Sequence, residues 1–195
     1  MGEISGDRFF ELEVESREQL LKWLDHNHSR KEGIWLITFK KVERAKYIST
    51  DEVLDSLVAY GWTDGIRRKF DDTRTRQFVS PRRTQPWAQS YKDRAERLIS
   101  EGLMATPGQA SIDLAKASGM WEDMQSVDQL LIPHDLEIAL AQSINARENF
   151  DSFPPSTRRN ILRWIHSAKT NETREKRVLT VATDSQRGIR TRSNG

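Results

Sequence analysis

The stretch covering residues 60–87, YGWTDGIRRKFDDTRTRQFVSPRRTQPW, constrains this chain more than any other part of it. Two runs rich in β-branched, aromatic and arginine side chains flank Asp71-Asp72-Thr73, whose short polar side chains favour a tight turn. The pattern predicts a β-hairpin, residues 62–70 with residues 74–80. The chain changes character here. Before the hairpin, strand and helix periods alternate; after it, only helical spacing recurs.

Ahead of the hairpin, residues 9–14 read as a strand. Ser16, with Gln19 three residues on, opens a helix that places Leu20, Leu21, Leu24 and His28 on one stripe. From Ile34 to Phe39 apolar side chains point to both faces, the mark of a central strand. Ser49 or Thr50 starts a second helix with Val53, Leu54, Leu57 and Val58 inward, and Gly61 stops it. Beyond the hairpin, Pro81 and Pro86 bracket a connector. Helices are then expected from Trp87 to Gly102, from Thr106-Pro107 to Gly119, from Pro133 with Leu136, Ala139, Leu140 and Ile144 inward, and from Asn145. Two more are expected after Pro154-Pro155, with Ile161, Trp164, Ile165 and Ala168 inward, and after a cap at Asn171. Residues 121–131 read as irregular. The fold class is therefore α+β: a small antiparallel or mixed N-terminal sheet with two helices, then an all-helical C-terminal region. The expected divisions are 1–80, 81–184 and a disordered basic tail, 185–195.

Composition removes several functions. The chain has 195 residues, 36% hydrophobic and 31% charged, with six Trp and seven Phe, and so can bury a core. It has no Cys, which removes disulfides, thiol catalysis and thiolate metal sites. No run approaches the ~18 apolar residues of a membrane span. No signal peptide is visible, so a cytoplasmic location without membrane insertion is expected. The net charge is +2, laid out in blocks: −4 over residues 1–64, +6 over 65–97, −7 over 98–155 and +7 over 156–195. Such blocks either neutralise one another within the fold or present basic faces to an anionic partner.

The motif order resembles that of the YdeI/OmpD-associated, bacteriocin-protection family of bacterial proteins. One cluster runs through Gly61-Trp62-Thr63-Asp64-Gly65, Asp71-Asp72, Phe78-Val79-Ser80-Pro81-Arg82-Arg83 and Trp87 to Arg94, Leu98, Gly102, Met104 and Pro107-Gly108. A second holds Pro154-Pro155-Ser156, Arg158-Arg159, Trp164-Ile165-His166-Ser167-Ala168-Lys169 and Glu172-Thr173-Arg174. Thr63 stands where that family usually has Ile, Ser80 where Thr is usual, and Tyr91 where Asn is usual. The resemblance implies a role in tolerance of bacteriocins or cationic antimicrobial peptides, and brings no reaction with it.

Two constellations carry candidate chemistry. Trp62, Asp64, Arg67, Arg82, Arg83 and Trp87 can meet through the hairpin. Their guanidiniums would clamp a phosphate or carboxylate beside an indole wall, at the junction of the sheet with the helices. The same residues would equally serve as a salt-bridge network around core tryptophans, with Asp64 in an Asp-Gly turn. Carboxylates flanked by guanidiniums make poor general bases. The second constellation is a basic face, Arg159, Arg163, His166, Arg174 and Arg177, which is either solvated or a contact for nucleic-acid backbone. No P-loop, G-x-G-x-x-G, G-x-S-x-G or HExxH is present, and His26, His28, His134 and His166 lack metal-ligand spacing. No cofactor and no metal are expected. The leading expectation is a non-enzymatic stress or antimicrobial-tolerance factor that binds a small anion or a protein partner. An enzyme acting on an anionic or nucleotide-like substrate is the alternative, and nucleic-acid binding ranks behind both.

Overall fold

A computed structural model of the chain describes residues 9–191. Contacts divide the chain into two compact units, Met1–Glu122 and Asp123–Gly195.

The first unit is built on a four-stranded mixed sheet of order β1-β2-β4-β3. Its strands are β1 (Glu11–Glu13), β2 (Ile34–Phe39), β3 (Trp62–Lys69) and β4 (Arg74–Pro81). Helix α1 (Arg17–Asn27) carries the chain back so that β1 and β2 run parallel, while the remaining pairings are antiparallel. β2 lies between β1 and β4, as its two-sided apolar sequence requires. One face of the sheet, with Ile34, Leu36, Val79 and Trp62, packs on Leu20 and Leu24 of α1 and on Val53 and Leu57 of α2 (Thr50–Ala59). Trp35 and Ile37 point to the other face and are equally buried. There the sheet's own side chains give cover. Phe78 meets the Trp35 ring edge-on, and the Arg76 guanidinium lies 4.9 Å from the Trp35 ring centroid.

The helix starts follow their caps. Ser16 accepts from Gln19 N at α1, and Ser49 forms a reciprocal capping box with Glu52 at α2. At the hairpin tip Asp71 accepts from the backbone N–H groups of Thr73 (2.8 Å) and Arg74 (2.7 Å) and from Arg74 Nε. The Arg74 side chain foremost, with those backbone donors, holds the Asp71 carboxyl at about 2. The folded value lies below the ordinary 3.8, so its contribution is present above about pH 4 and is lost as pH falls through about 2. We expect the Asp71 carboxyl carbon, followed by NMR, to titrate near pH 2; a midpoint near 4 would refute the turn geometry.

Helices α3 (Gln89–Ser100) and α4 (Thr106–Ala117) belong to the first unit with the sheet. They form a second core on the far side of α2, where Val58 and Ala59 meet Trp87, Ala95, Leu98, Ile112 and Ala115. Gly108 makes this packing close: a Cβ there would stand 2.2 Å from the Ala59 carbonyl oxygen.

The second unit comprises α5 (Gln125–Asp128), α6 (His134–Ala141), α7 (Ala146–Ser152), α8 (Pro155–His166) and α9 (Asn171–Gln186). Its core joins Leu136 and Leu140, Phe150, Ile161, Leu162 and Ile165, and Val178 and Val181. Several details depart from the sequence reading. The stretch expected to be irregular contains α5. Ile144 is 82% exposed because α6 ends at Ala141. Thr170, not Asn171, caps α9 by accepting from Thr173 N. Helix α9 runs to Gln186, and Gly188 at φ +67° closes it. Of the expected tail, residues 192–195 lie outside the described residues.

The charge blocks find partners inside each unit. In the first, Arg74 pairs with Glu13, Arg76 with Glu11, Arg94 with Asp51 and Asp55, and Arg97 with Asp55. In the second, Arg159 pairs with Asp128, Arg158 with Asp151, His166 with Asp123 and Arg174 with Asp135.

Candidate functional site

All six residues of the hairpin constellation lie in the first unit, yet they do not converge on one point. Trp62 and Trp87 are buried at 0% and 1% exposure. Trp62 belongs to the core between sheet and helices, and Trp87 to the core beyond α2. Arg82, just past β4, is buried as well. Its guanidinium carbon lies 4.3 Å from the Trp87 ring centroid and 4.6 Å from that of Tyr91 on α3. It donates to Thr63 Oγ1 (3.2 Å) and to the Pro86 carbonyl (3.3 Å). Burial pushes the Arg82 pKa below the ordinary arginine value, and the nearby Asp64 charge opposes that shift. Asp64 itself accepts from Gln77 Nε2 (2.8 Å) and from the Tyr91 hydroxyl.

Thr63 and Tyr91 both touch this buried arginine, and Thr63 supplies a hydroxyl acceptor. Tyr91 supplies both a stacking ring and a donor to Asp64. Tyr91 and Gln77 join the expected site residues: Tyr91 is four residues after Trp87, and Gln77 lies on the strand paired with that of Asp64, a convergence that no short-range spacing reveals.

Arg67 and Arg83 are exposed. Arg67 donates to Thr50 Oγ1 (3.0 Å), and Arg83 donates to the Lys31 carbonyl while its N–H bonds Gln85 Oε1. Among the described residues, Arg67, Arg82 and Arg83 make no ion pair; their hydrogen-bond acceptors are neutral oxygens. Arg74, Arg76, Arg94 and Arg97, from the same basic block, are each paired with a carboxylate. The contrast separates arginines paired within the fold from Arg67 and Arg83, while buried Arg82 has Asp64 nearby without contact.

The strand register explains which residues surround Arg83. β4 ends where β2 begins, since Ile34 pairs with Val79, and β1 starts alongside β2. Phe10, Arg30, Lys31 and Arg83 therefore gather at one end of the sheet. Phe10 stacks on Trp23 of α1 with centroids 6.4 Å apart and planes 8° from parallel.

The second constellation is largely neutralised. Arg159, His166 and Arg174 face Asp128, Asp123 and Asp135, and Arg174 reaches Asp135 through both Nε (2.6 Å) and a terminal nitrogen (3.0 Å). Arg177 stacks on Trp164 at 5.0 Å and donates to Ser167 Oγ. Arg163 is exposed. A cleft of about 100 Å³ opens beside this face, lined by Val127, Leu131, Ile132, Pro133, Leu162 and Ile165 together with Ser126, His166 and Arg174. His26 and His28 bond backbone carbonyls of their own helix, and no group of three or more His, Asp or Glu able to hold a metal occurs among the described residues. No helix among the described residues is long and apolar enough to cross a membrane.

Comparison with known families is informative at both ends of the chain. Residues 12–111, just over half of the 195, match the family described as Domain of unknown function (DUF8412). Residues 129–188 match the family described as Bacteriocin-protection, YdeI or OmpD-Associated, a partial match covering the C-terminal part. No curated protein and no solved structure matches the chain significantly. The chain thus belongs to the family of the domain of unknown function DUF8412, and its C-terminal part is similar to the bacteriocin-protection, YdeI or OmpD-associated family.

Proposed function

We propose that this chain is a non-catalytic tolerance factor that works by binding a small anion at the end of the sheet around Arg83. One observation carries the reading. Arg67 and Arg83 bond neutral oxygens and, among the described residues, make no ion pair, while Arg74, Arg76, Arg94 and Arg97 are each paired with a carboxylate. An exposed guanidinium already oriented by a backbone carbonyl needs little reorganisation to take a phosphate or carboxylate in two hydrogen bonds. Arg82, its neighbour in sequence, lies against Trp87 and Tyr91 and adds positive potential without itself needing to touch the ligand. The tolerance role follows from the name of the family matched by residues 129–188. The basic residues of α8 and α9 support a nucleic-acid surface less well, because their main partners are carboxylates.

Titration with inorganic tripolyphosphate, read by calorimetry and thermal shift, tests the reading. Binding to the folded state stabilises it by about 2.7 kcal/mol at a ligand concentration one hundred times Kd. We expect wild type to show this stabilisation and Arg83→Ala to lose it, with the ligand-free melting temperatures of the two proteins alike. Equal stabilisation of both proteins would place the anion elsewhere, and none in either would remove the anion-binding reading.

A further inference from the structure

We infer that the anion is the phosphate tail of a nucleoside polyphosphate, and that Phe10, stacked on Trp23, is the shelf for its base. This rests on the anion-binding reading and adds a second recognition element to it. Phe10 is 52% exposed, a large apolar ring left open at the rim of a charged cluster. Its position is fixed from two sides. Its carbonyl accepts from Trp35 N (3.0 Å), which ties the residue to the central strand. Its ring lies nearly parallel to Trp23, and Trp23 in turn meets the fully buried Trp62 edge-on with centroids 5.5 Å apart. A base laid on Phe10 would continue a stack anchored in the core.

One cation, Arg30, lies against this shelf, and two more follow from the same end of the sheet. The Arg30 guanidinium carbon sits 5.6 Å from the Phe10 centroid and 6.0 Å from that of Trp23, and its Nε is buried without a hydrogen-bond partner. Lys31 follows it, and the Lys31 carbonyl holds Arg83. Among the described residues none of Arg30, Lys31 and Arg83 makes an ion pair. Glu32, the acidic neighbour in the same turn, is exposed and leaves the group with a net positive charge. A planar ring with three adjacent cations is what a nucleotide needs: a π-face for the base and donors for the phosphates. A simple anion would use only the cations, and an apolar ligand only the ring.

The test compares ATP and GTP with inorganic tripolyphosphate on the full chain, using wild type, Phe10→Ala, Phe10→Tyr and Lys31→Ala. We expect each nucleotide to bind about tenfold more tightly than tripolyphosphate, a modest stacking gain for one base. Phe10→Ala should erase that advantage while leaving tripolyphosphate affinity unchanged, and Phe10→Tyr should keep it. Lys31→Ala should weaken all three ligands alike. Equal affinity of nucleotide and tripolyphosphate for wild type, or an advantage that survives Phe10→Ala, would overturn the inference and leave anion binding standing. Failure of every ligand to bind would overturn both.

Discussion

Gly108→Ala will unfold the first unit at a markedly lower urea concentration than wild type, at a cost of about 3 kcal/mol. In an ordinary helix interior the same substitution stabilises by up to about 1 kcal/mol, because alanine is the better helix former. The sign reverses here because the new methyl would stand 2.2 Å from the Ala59 carbonyl oxygen and 2.5 Å from the Met104 sulfur. The thioether can swing away; the carbonyl, at the C-terminal end of α2 and held by Ala105 N at 3.1 Å, has far less freedom. Helix α4 must retreat, opening the core formed by Trp87, Leu98, Ile112 and Ala115. Gly102→Ala is the control. Nothing lies within 4 Å of its added Cβ, so only the left-handed backbone at φ +69° is penalised, by about 1–2 kcal/mol. Five of the six tryptophans, all but Trp164, lie in the first unit, so their fluorescence reports on it. A Gly108→Ala protein as stable as wild type would mean that α2 and α4 do not approach as described.

Arg82→Ala will cost about 3 kcal/mol as well, for a different reason. A desolvated guanidinium against an aromatic face contributes about 2 kcal/mol, and a hydrogen bond to a charged group about 1.5–3 kcal/mol. Arg82 has two rings and two acceptors, against which stands the cost of burying a charge with no carboxylate in contact. Truncation also leaves a void beside Trp87 and Tyr91 and removes a cation near Asp64. Lysine should recover less than half of the loss, since an ammonium neither stacks as a plane nor reaches both acceptors. Leucine should recover the packing but leave Asp64 uncompensated. Melting curves of the three variants in the absence of ligand decide the matter. Full stability of Arg82→Ala would show the stack to be incidental.

The degree to which this fold could be read in advance varied with the range of the interactions that set it. The hairpin, the N-caps Ser16 and Ser49 and the two-sided burial of β2 are local or nearly so, and their residues announce them. Helix α5 has only four residues, too few to show a 3.6-residue period, and Asn171, by type the stronger cap, masks the cap at Thr170. The cover on the outer sheet face was not legible either. A strand buried on both sides suggests a second layer of helices, whereas Phe78, Arg68 and Arg76 do that work here through register. The site divides in the same way. Arg82 and Arg83 were visible as part of a dense basic run. That Arg83 is oriented by Lys31, 52 residues earlier, depends on β4 ending where β2 begins, and that Phe10 joins them depends on the parallel pairing of β1. No pattern within a short window contains that information.

The hairpin has one more consequence, for how the protein behaves at high concentration. β3 is an outer strand, and an outer strand offers unpaired backbone groups to any other extended chain. Here the pairing slips between Asp64 and Arg67, and beyond the slip Arg67, Arg68 and Lys69 stand in a row of like charge. The bulge twists the margin of the sheet, and the cations repel a second copy laid along it. Bulge and charge together disfavour edge-to-edge pairing of two copies along β3.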